Sequence, residues 1–256
     1  MRTIIFGTYD TAMHPRIATI AEGLAARGFD VTECNVPLGL TTADRVEMLA
    51  KPWKVGGLVA RLASRWLALA ARARRLGRHN LALLNLDMQA TPIVFLEPSC
   101  YSMFVEDYRE LNLPGSERVA GRCFLFEQFI ENLLAVENSA LHFRARSGNV
   151  MIHPHCHVKS LMNPAFLRRL ALRLPGRQVT LLDSGCCGMA GAFGALSEKY
   201  ELSLKVAEPL LQKIQNLSAG TAVVASGTSC RHQIAHLAPV RPRHMAELLA
   251  AALETE

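Results

Sequence analysis

Four apolar runs in this 256-residue chain each lead within a few residues to cysteine, and that recurrence restricts the fold more than any other feature. The runs are Val94-Phe-Leu-Glu-Pro-Ser-Cys100, Val150-Met-Ile-His-Pro-His-Cys156, Thr180-Leu-Leu-Asp-Ser-Gly-Cys186-Cys187 and Val223-Val-Ala-Ser-Gly-Thr-Ser-Cys230. Each reads as a buried strand followed by a turn. In an open sheet of parallel strands, ligands gather beyond the carboxyl ends. Such a sheet would bring five thiols from distant parts of the chain to one edge.

The rest of the chain has the alternation that such a sheet needs. Strands are expected at Arg2–Phe6, Val31–Val36, Ile93–Leu96, Asn149–His153, Gln178–Leu182 and Thr221–Ala225, and helices at Pro15–Arg27, Phe124–Val136, Pro164–Arg173, Ser197–Gln215 and His244–Leu253. The fold class is α/β, built from parallel βαβ units as two small domains or one composite domain. A boundary near residues 79–88 divides the chain into segments 1–85 and 86–256. The first ends in a basic amphipathic helix over Lys51–Arg78, with eight Lys and Arg, no acid, and Leu58, Leu62, Trp66 and Leu69 at helical spacing. That pattern fits a solvated face opposite a core stripe, or docking on an anionic membrane surface.

Composition narrows the setting. Half the residues are apolar and the net charge is +6, which does not mark a nucleic-acid binder. No apolar run approaches the 18 or so residues of a membrane span, and the N-terminus lacks a signal-peptide core. The expected location is cytoplasmic, with peripheral contact at the inner membrane face through residues 51–78.

In a reducing compartment the seven cysteines read as metal or redox groups and not as staples. Adjacent Cys186 and Cys187 suit one tetrahedral zinc poorly, since zinc ligands come as spaced pairs. They suit a cluster of several irons, in which neighbouring thiolates bind different metals. Gly185, Gly188, Gly191 and Gly194 would let backbone N–H groups approach the cluster sulfurs. The alternative for the pair is two small buried apolar side chains. His153, His155 and His157 can ligate, hydrogen-bond sulfide or relay protons. Lys159 and Arg231 add positive charge, whereas Cys34 and Cys123 read as structural.

The segments EPSC (97–100), HCHVKSLM (155–162), DSGCCGMAGAFG (183–194), GTSCRHQI (227–234) and RPRHMAELLAAAL (241–253) resemble the cysteine-rich CCG module. More narrowly they are similar to the C-terminal iron–sulfur region of FAD-linked oxidases of the D-lactate and D-2-hydroxyacid dehydrogenase type. In that family two CCG halves occur in tandem, with EPSC closing the first and Cys156, Cys186, Cys187 and Cys230 making up the second. The resemblance implies an iron–sulfur cluster of 4Fe-4S type, which takes electrons from a flavin and passes them to an acceptor. Cys100 is a candidate further ligand, and His155, His157, Lys159, Gly185 and Gly188 are candidate cofactor-binding residues. The flavin, as FAD, would sit on a partner subunit or missing segment, so no catalytic residue is assigned here and the chain is not expected to be a complete enzyme.

Two departures from the pattern stand out. The family motif ends Cys-x-x-Cys, but here it runs Cys230-Arg-His-Gln233, a shortened ending shared with the FAD-linked oxidase branch. Residues 1–85 contain no Cys-Cys-Gly. The stretch FGTYDTAMHPRIATIAEGLAARGFDVTECNVPLG (6–39) and the helix after it instead resemble the N-terminal nucleotide-fold domain of an actinobacterial-type glycosyltransferase. The chain thus reads as a junction of two unrelated pieces. Two other functions follow from other weightings: a glycosyltransferase fragment with incidental cysteines, and a thiol-redox or zinc-binding module.

Overall fold

In a computed structural model the described residues are 2–7, 22, 25–26, 28, 30–35, 55–86, 91–136, 141–190, 193–215, 217–218 and 220–254. The chain divides into two compact units, Met1–Leu86 and Asp87–Glu256.

In the first unit β1 (Arg2–Gly7) and β2 (Asp30–Asn35) pair in parallel, with Arg2 opposite Asp30 and Gly7 opposite Asn35. Most of the expected Pro15–Arg27 crossover lies outside the described residues, as does the Cys34 side chain. Helix α1 spans Val55–Asn85, a turn or two beyond the expected end. Its buried positions are Leu69, Gly77 and Leu81, while Leu62 and Trp66 are exposed. The inward stripe therefore starts later than the Leu58–Leu62–Trp66 pattern suggests, and the Leu58 side chain lies outside the described residues. Spacing fixes which residues share a helix face, but only tertiary packing decides where along the helix that face is covered.

The second unit carries two parallel sheets. In the smaller, β3 (Ile93–Phe95) pairs with β4 (Cys123–Leu125). In the larger, β5 (Gly148–His153) lies between β6 (Arg177–Leu181) and β7 (Ala222–Ala225). The sequences GNVMIH, RQVTL and AVVA are short and rich in Val and Ile, as strands covered on both faces require. Val150, Ile152, Val223, Val224 and Ala225 are all buried.

Helices follow each strand. Chain segment Pro98–Ser102 (α2) runs through a π-helical turn, Met103–Asp107, into Tyr108–Glu110 (α3), and Ser116–Ala120 forms α4. Phe126–Val136 is α5, Cys156–Leu161 is α6, Ala165–Leu172 is α7 and Ser197–Gln215 is α8. Thr228–Leu237 is α9 and Met245–Ala250 is α10. The helix expected from Phe124 begins two residues later, because Cys123–Leu125 are drawn into the β3 ladder. Leu210 and Ile214 of α8 and Ile234 of α9 cover Val223 and Ala225, and Cys187 and Cys230 belong to the same buried cluster. Helices α5 and α7 are tied by buried Glu131, which binds Arg173 at 2.8 Å and Arg169 at 3.4 Å.

Candidate functional site

Three of the four cysteine loops leave the carboxyl ends of the three-stranded sheet. Strand β5 ends in His153-Pro154-His155, and the His155 ring then caps α6, accepting from the His157 backbone N–H at 3.2 Å. That cap fixes Cys156 as the first helical residue. After β6 the Leu182 N–H extends the ladder to the Ile152 carbonyl at 2.8 Å, and the loop bearing Cys186 and Cys187 follows from there. After β7, Ser226 and Gly227 turn into α9, whose third residue is Cys230.

The vicinal loop is held from several sides. The Lys159 ammonium donates to the Ser184 carbonyl at 2.7 Å and the Gly185 carbonyl at 3.0 Å, and Lys213 donates to the Asp183 carbonyl. His153 Nδ1 and the Ser184 hydroxyl lie 2.9 Å apart. Gly188 has φ +90°, and a Cβ there would run into the Ser203 carbonyl. Its role is thus to let the loop lie against α8, beyond any approach to a cofactor. Gly185 faces open space, and Gly191 lies outside the described residues.

The four sulfurs form a contact chain, Cys156 to Cys186 to Cys187 to Cys230. Exposure falls along it: Cys156 is exposed, Cys186 half-buried, and Cys187 and Cys230 are 3% and 2% exposed. Hydrogen bonds from Cys156 and Cys187, joined by the Gly188 and Ala190 N–H groups, pull the Cys186 thiol far below its ordinary 9.0. The Cys187 thiol likewise brings Cys230 down to about 5, with help from His153. Cys156 and Cys187, as the donors in these bonds, move upward.

Among the described residues no group of three or more His, Cys, Asp or Glu side chains forms a ready-made cage for a single ion. The pairwise contacts and that absence are compatible. Sulfurs strung in a line share no common centre for one metal, but a cluster with several metals takes its thiolates at separate corners. The donor set, four cysteine sulfurs graded from exposed Cys156 to buried Cys187 and Cys230, fits such a cluster.

The other expected residues separate into two groups. His155 lies against Gly227, whose missing Cβ leaves room for the ring, and burial draws its pKa below 6.5 against the pull of Cys230 and Glu97. His157 gives its Nδ1 to the Ser102 hydroxyl at 2.6 Å, and Lys159 holds the loop backbone. Cys100 sits in α2, on the smaller sheet. Its thiol is raised by burial and by the Glu97 carboxylate. Cys123 is buried, donates to the Val119 carbonyl at 3.1 Å, and is pushed up to about 11 by burial. That suits a structural thiol.

Two positioning contacts were not anticipated. The Glu97 carboxylate accepts from both the backbone N–H and the hydroxyl of Thr228, each at 2.8 Å, and so ties the EPSC segment to the start of α9. Glu97 belongs to a recognisable motif, but no local pattern names a partner 131 residues away. Arg231 donates to the Ala225 and Ser226 carbonyls and closes the turn between β7 and α9.

The cysteine-rich domain family, CCG, matches residues 150–235, the span that contains all four contacting thiols. The chain is 26% identical over 166 residues to the C subunit of the anaerobic glycerol-3-phosphate dehydrogenase of Escherichia coli K12, covering 65% of this chain and 41% of that protein. The corresponding protein of Escherichia coli O157:H7 matches equally. D-2-hydroxyglutarate dehydrogenase of Pseudomonas putida is 26% identical over 184 residues, 71% of this chain and 17% of that protein. The chain thus spans less than half the length of these curated relatives. No solved structure matches. The matched span lies wholly within the second unit and takes in all but the first two residues of the three-stranded sheet.

Proposed function

We propose that residues 86–256 are an iron–sulfur electron-transfer module of a flavin-dependent dehydrogenase of the 2-hydroxyacid-oxidising class. The observation that carries this reading is the contact chain of Cys156, Cys186, Cys187 and Cys230, drawn from three different strand ends. These four would hold a cluster of 4Fe-4S type, with Cys100 on the adjacent α2 as a further candidate. Such a cluster supplies one-electron chemistry at a potential set by ligation, hydrogen bonds and burial. The chain's own residues place the sulfurs: Lys159, Lys213 and His153 hold the vicinal loop, and His155 and Glu97 fix the starts of α6 and α9. Burial of Cys187 and Cys230 keeps water from the inner end, while exposed Cys156 marks the end nearest to a partner.

The flavin half-reaction belongs to a partner subunit or a further segment, in keeping with relatives named as dehydrogenases. Residues 1–85 form the separate glycosyltransferase-like segment in this reading. No helix among the described residues is long and apolar enough to cross a membrane. Exposed Leu62, Trp66 and Leu67, set among arginines of α1, support contact with the inner membrane surface from the cytoplasmic side.

Iron and acid-labile sulfide assays on anaerobically purified full-length protein test the central reading. Brown protein with stoichiometric iron and sulfide is expected. Zinc without sulfide would identify a zinc-binding module, and metal-free protein with a reversible 186–187 disulfide would identify a thiol-redox one.

A further inference from the structure

We propose that the second unit binds a small phosphate-bearing anion in an arginine-lined cavity at the opposite end of the sheet from the cysteines. The cavity is about 250 Å³ and is lined by Arg144, Arg146, Arg177 and Arg243 over an apolar floor that includes Leu174 and Leu248. No acidic side chain lines it. Among the described residues, no carboxylate bridges any of the four arginines.

The backbone holds each member of this cluster in place. Arg177 is the first residue of β6, and Arg146 lies two residues before β5. Arg243 runs beside β7, donating its N–H to the Val223 carbonyl at 2.9 Å and accepting from the Ala225 N–H at 3.0 Å. The Arg146 N–H donates to the Pro175 carbonyl at 3.0 Å, and the Arg144 N–H to the Ala252 carbonyl at 2.8 Å. The Arg177 guanidinium lies over the first residue of β5, where a Cβ at Gly148 would come within 2.8 Å of Nη1. The main chain at Arg144, Arg146 and Arg243 is therefore fixed by backbone hydrogen bonds and Arg177 by its place in β6, while the Arg144 guanidinium itself donates through Nε to the Leu253 carbonyl at 3.1 Å.

Four like charges around one concavity make a positive field that an anion seated among them would neutralise. Guanidinium stays charged throughout the physiological range. Burial, together with the charges of Arg146 and Arg243, lowers the Arg177 pKa below the ordinary guanidinium value. Planar guanidinium forks match phosphate oxygens in bidentate pairs, which favours a phosphoryl group over chloride. Concavity and small volume favour a compact ligand over an extended acidic peptide.

Calorimetric titration of the full-length chain at constant ionic strength tests this, with inorganic phosphate, pyrophosphate and methyl phosphate as probes. We expect saturable one-to-one binding, tightest for pyrophosphate if a free anion is the ligand and tightest for methyl phosphate if an organic ester is. Arg146→Gln and Arg243→Gln should each weaken it about tenfold, the loss of one charge-assisted contact. Lys205→Gln, on the exposed face of α8, should leave it unchanged. Arg→Lys at 146 and 243 keeps the charge without the fork and should weaken binding part-way, even if the Gln variants fold poorly. No saturable binding, equal affinity in every variant, or capture of an acidic peptide with no response to pyrophosphate would overturn the proposal.

Discussion

The Glu97 carboxylate receives both the N–H and the hydroxyl of Thr228, and so joins the EPSC segment to the helix that carries Cys230. A carboxylate at a helix start also meets the favourable end of the helix dipole. Burial is the largest single influence and raises its pKa, but the two Thr228 bonds, the nearby His155 and the Ser99 hydroxyl together bring it below 4.5. Because the folded value is depressed, this stabilisation is present above pH 4.5 and lost as pH falls through the folded value. Glu97→Gln should cost about 1–3 kcal/mol at neutral pH. Denaturant midpoints should converge with wild type as the buffer is acidified. Curves separated by a constant amount down to pH 3 would contradict this assignment.

The thiol chain makes unequal demands on its members. Cys186 takes hydrogen bonds from two thiols and lies at its centre, whereas Cys123 is bonded to a carbonyl of its own segment. Cys186→Ser should remove iron and sulfide from the purified protein, while β-sheet circular dichroism persists. Cys123→Ser should retain both, at a modest cost in stability. Equal iron in wild type and Cys186→Ser would remove the cluster assignment.

Strand positions in the larger sheet are legible in the sequence because β5, β6 and β7 are short, apolar and followed by glycine or proline. That is also why the convergence of Cys156, Cys186, Cys187 and Cys230 can be anticipated: once the strands are parallel, their C-terminal loops share an edge. Helices α6 and α9 are not legible. Each starts inside a motif whose histidines, cysteines and serines give no apolar period, and each is fixed by an unusual cap, the adjacent His155 ring in one case and the sequence-distant Glu97 in the other. The register of β3 against β4 is equally hidden, since three-residue strands carry too little pattern to separate Cys123–Leu125 from the helix after them. The arginine cavity escapes detection because Arg144, Arg146, Arg177 and Arg243 are scattered singly through the chain.

Glu127 gives a pH response of opposite sign. It is 1% exposed, bonded to the Ser226 hydroxyl and 3.9 Å from His244 Nε2. Burial raises its pKa above 4.5, against the pull of Ser226 and His244. The folded state therefore holds this proton more tightly than the unfolded chain does, so the contribution to stability falls as pH rises from about 4.5. Glu127→Gln keeps an acceptor for Ser226 without the charge. Its unfolding free energy relative to wild type should increase between pH 4.5 and neutrality, as read from denaturation series at several pH values. A difference that stays flat over that range would show that the carboxyl is not held protonated.

Helix α1 has an unusual surface. Val59, Trp66 and Leu67 are more than half exposed, and the basic residues around them include Arg72, Arg74 and Arg75. Apolar insertion and lysine–arginine attraction act together at an anionic bilayer, and only the second is screened by salt. Full-length protein should sediment with vesicles containing phosphatidylserine but not with pure phosphatidylcholine vesicles, and binding should weaken steeply between low and physiological salt. Trp66→Ala should reduce binding at every salt concentration, because it removes the insertion component. Arg74→Gln with Arg75→Gln should instead flatten the salt dependence. Binding that ignores both salt and lipid charge would leave the face as a merely solvated one.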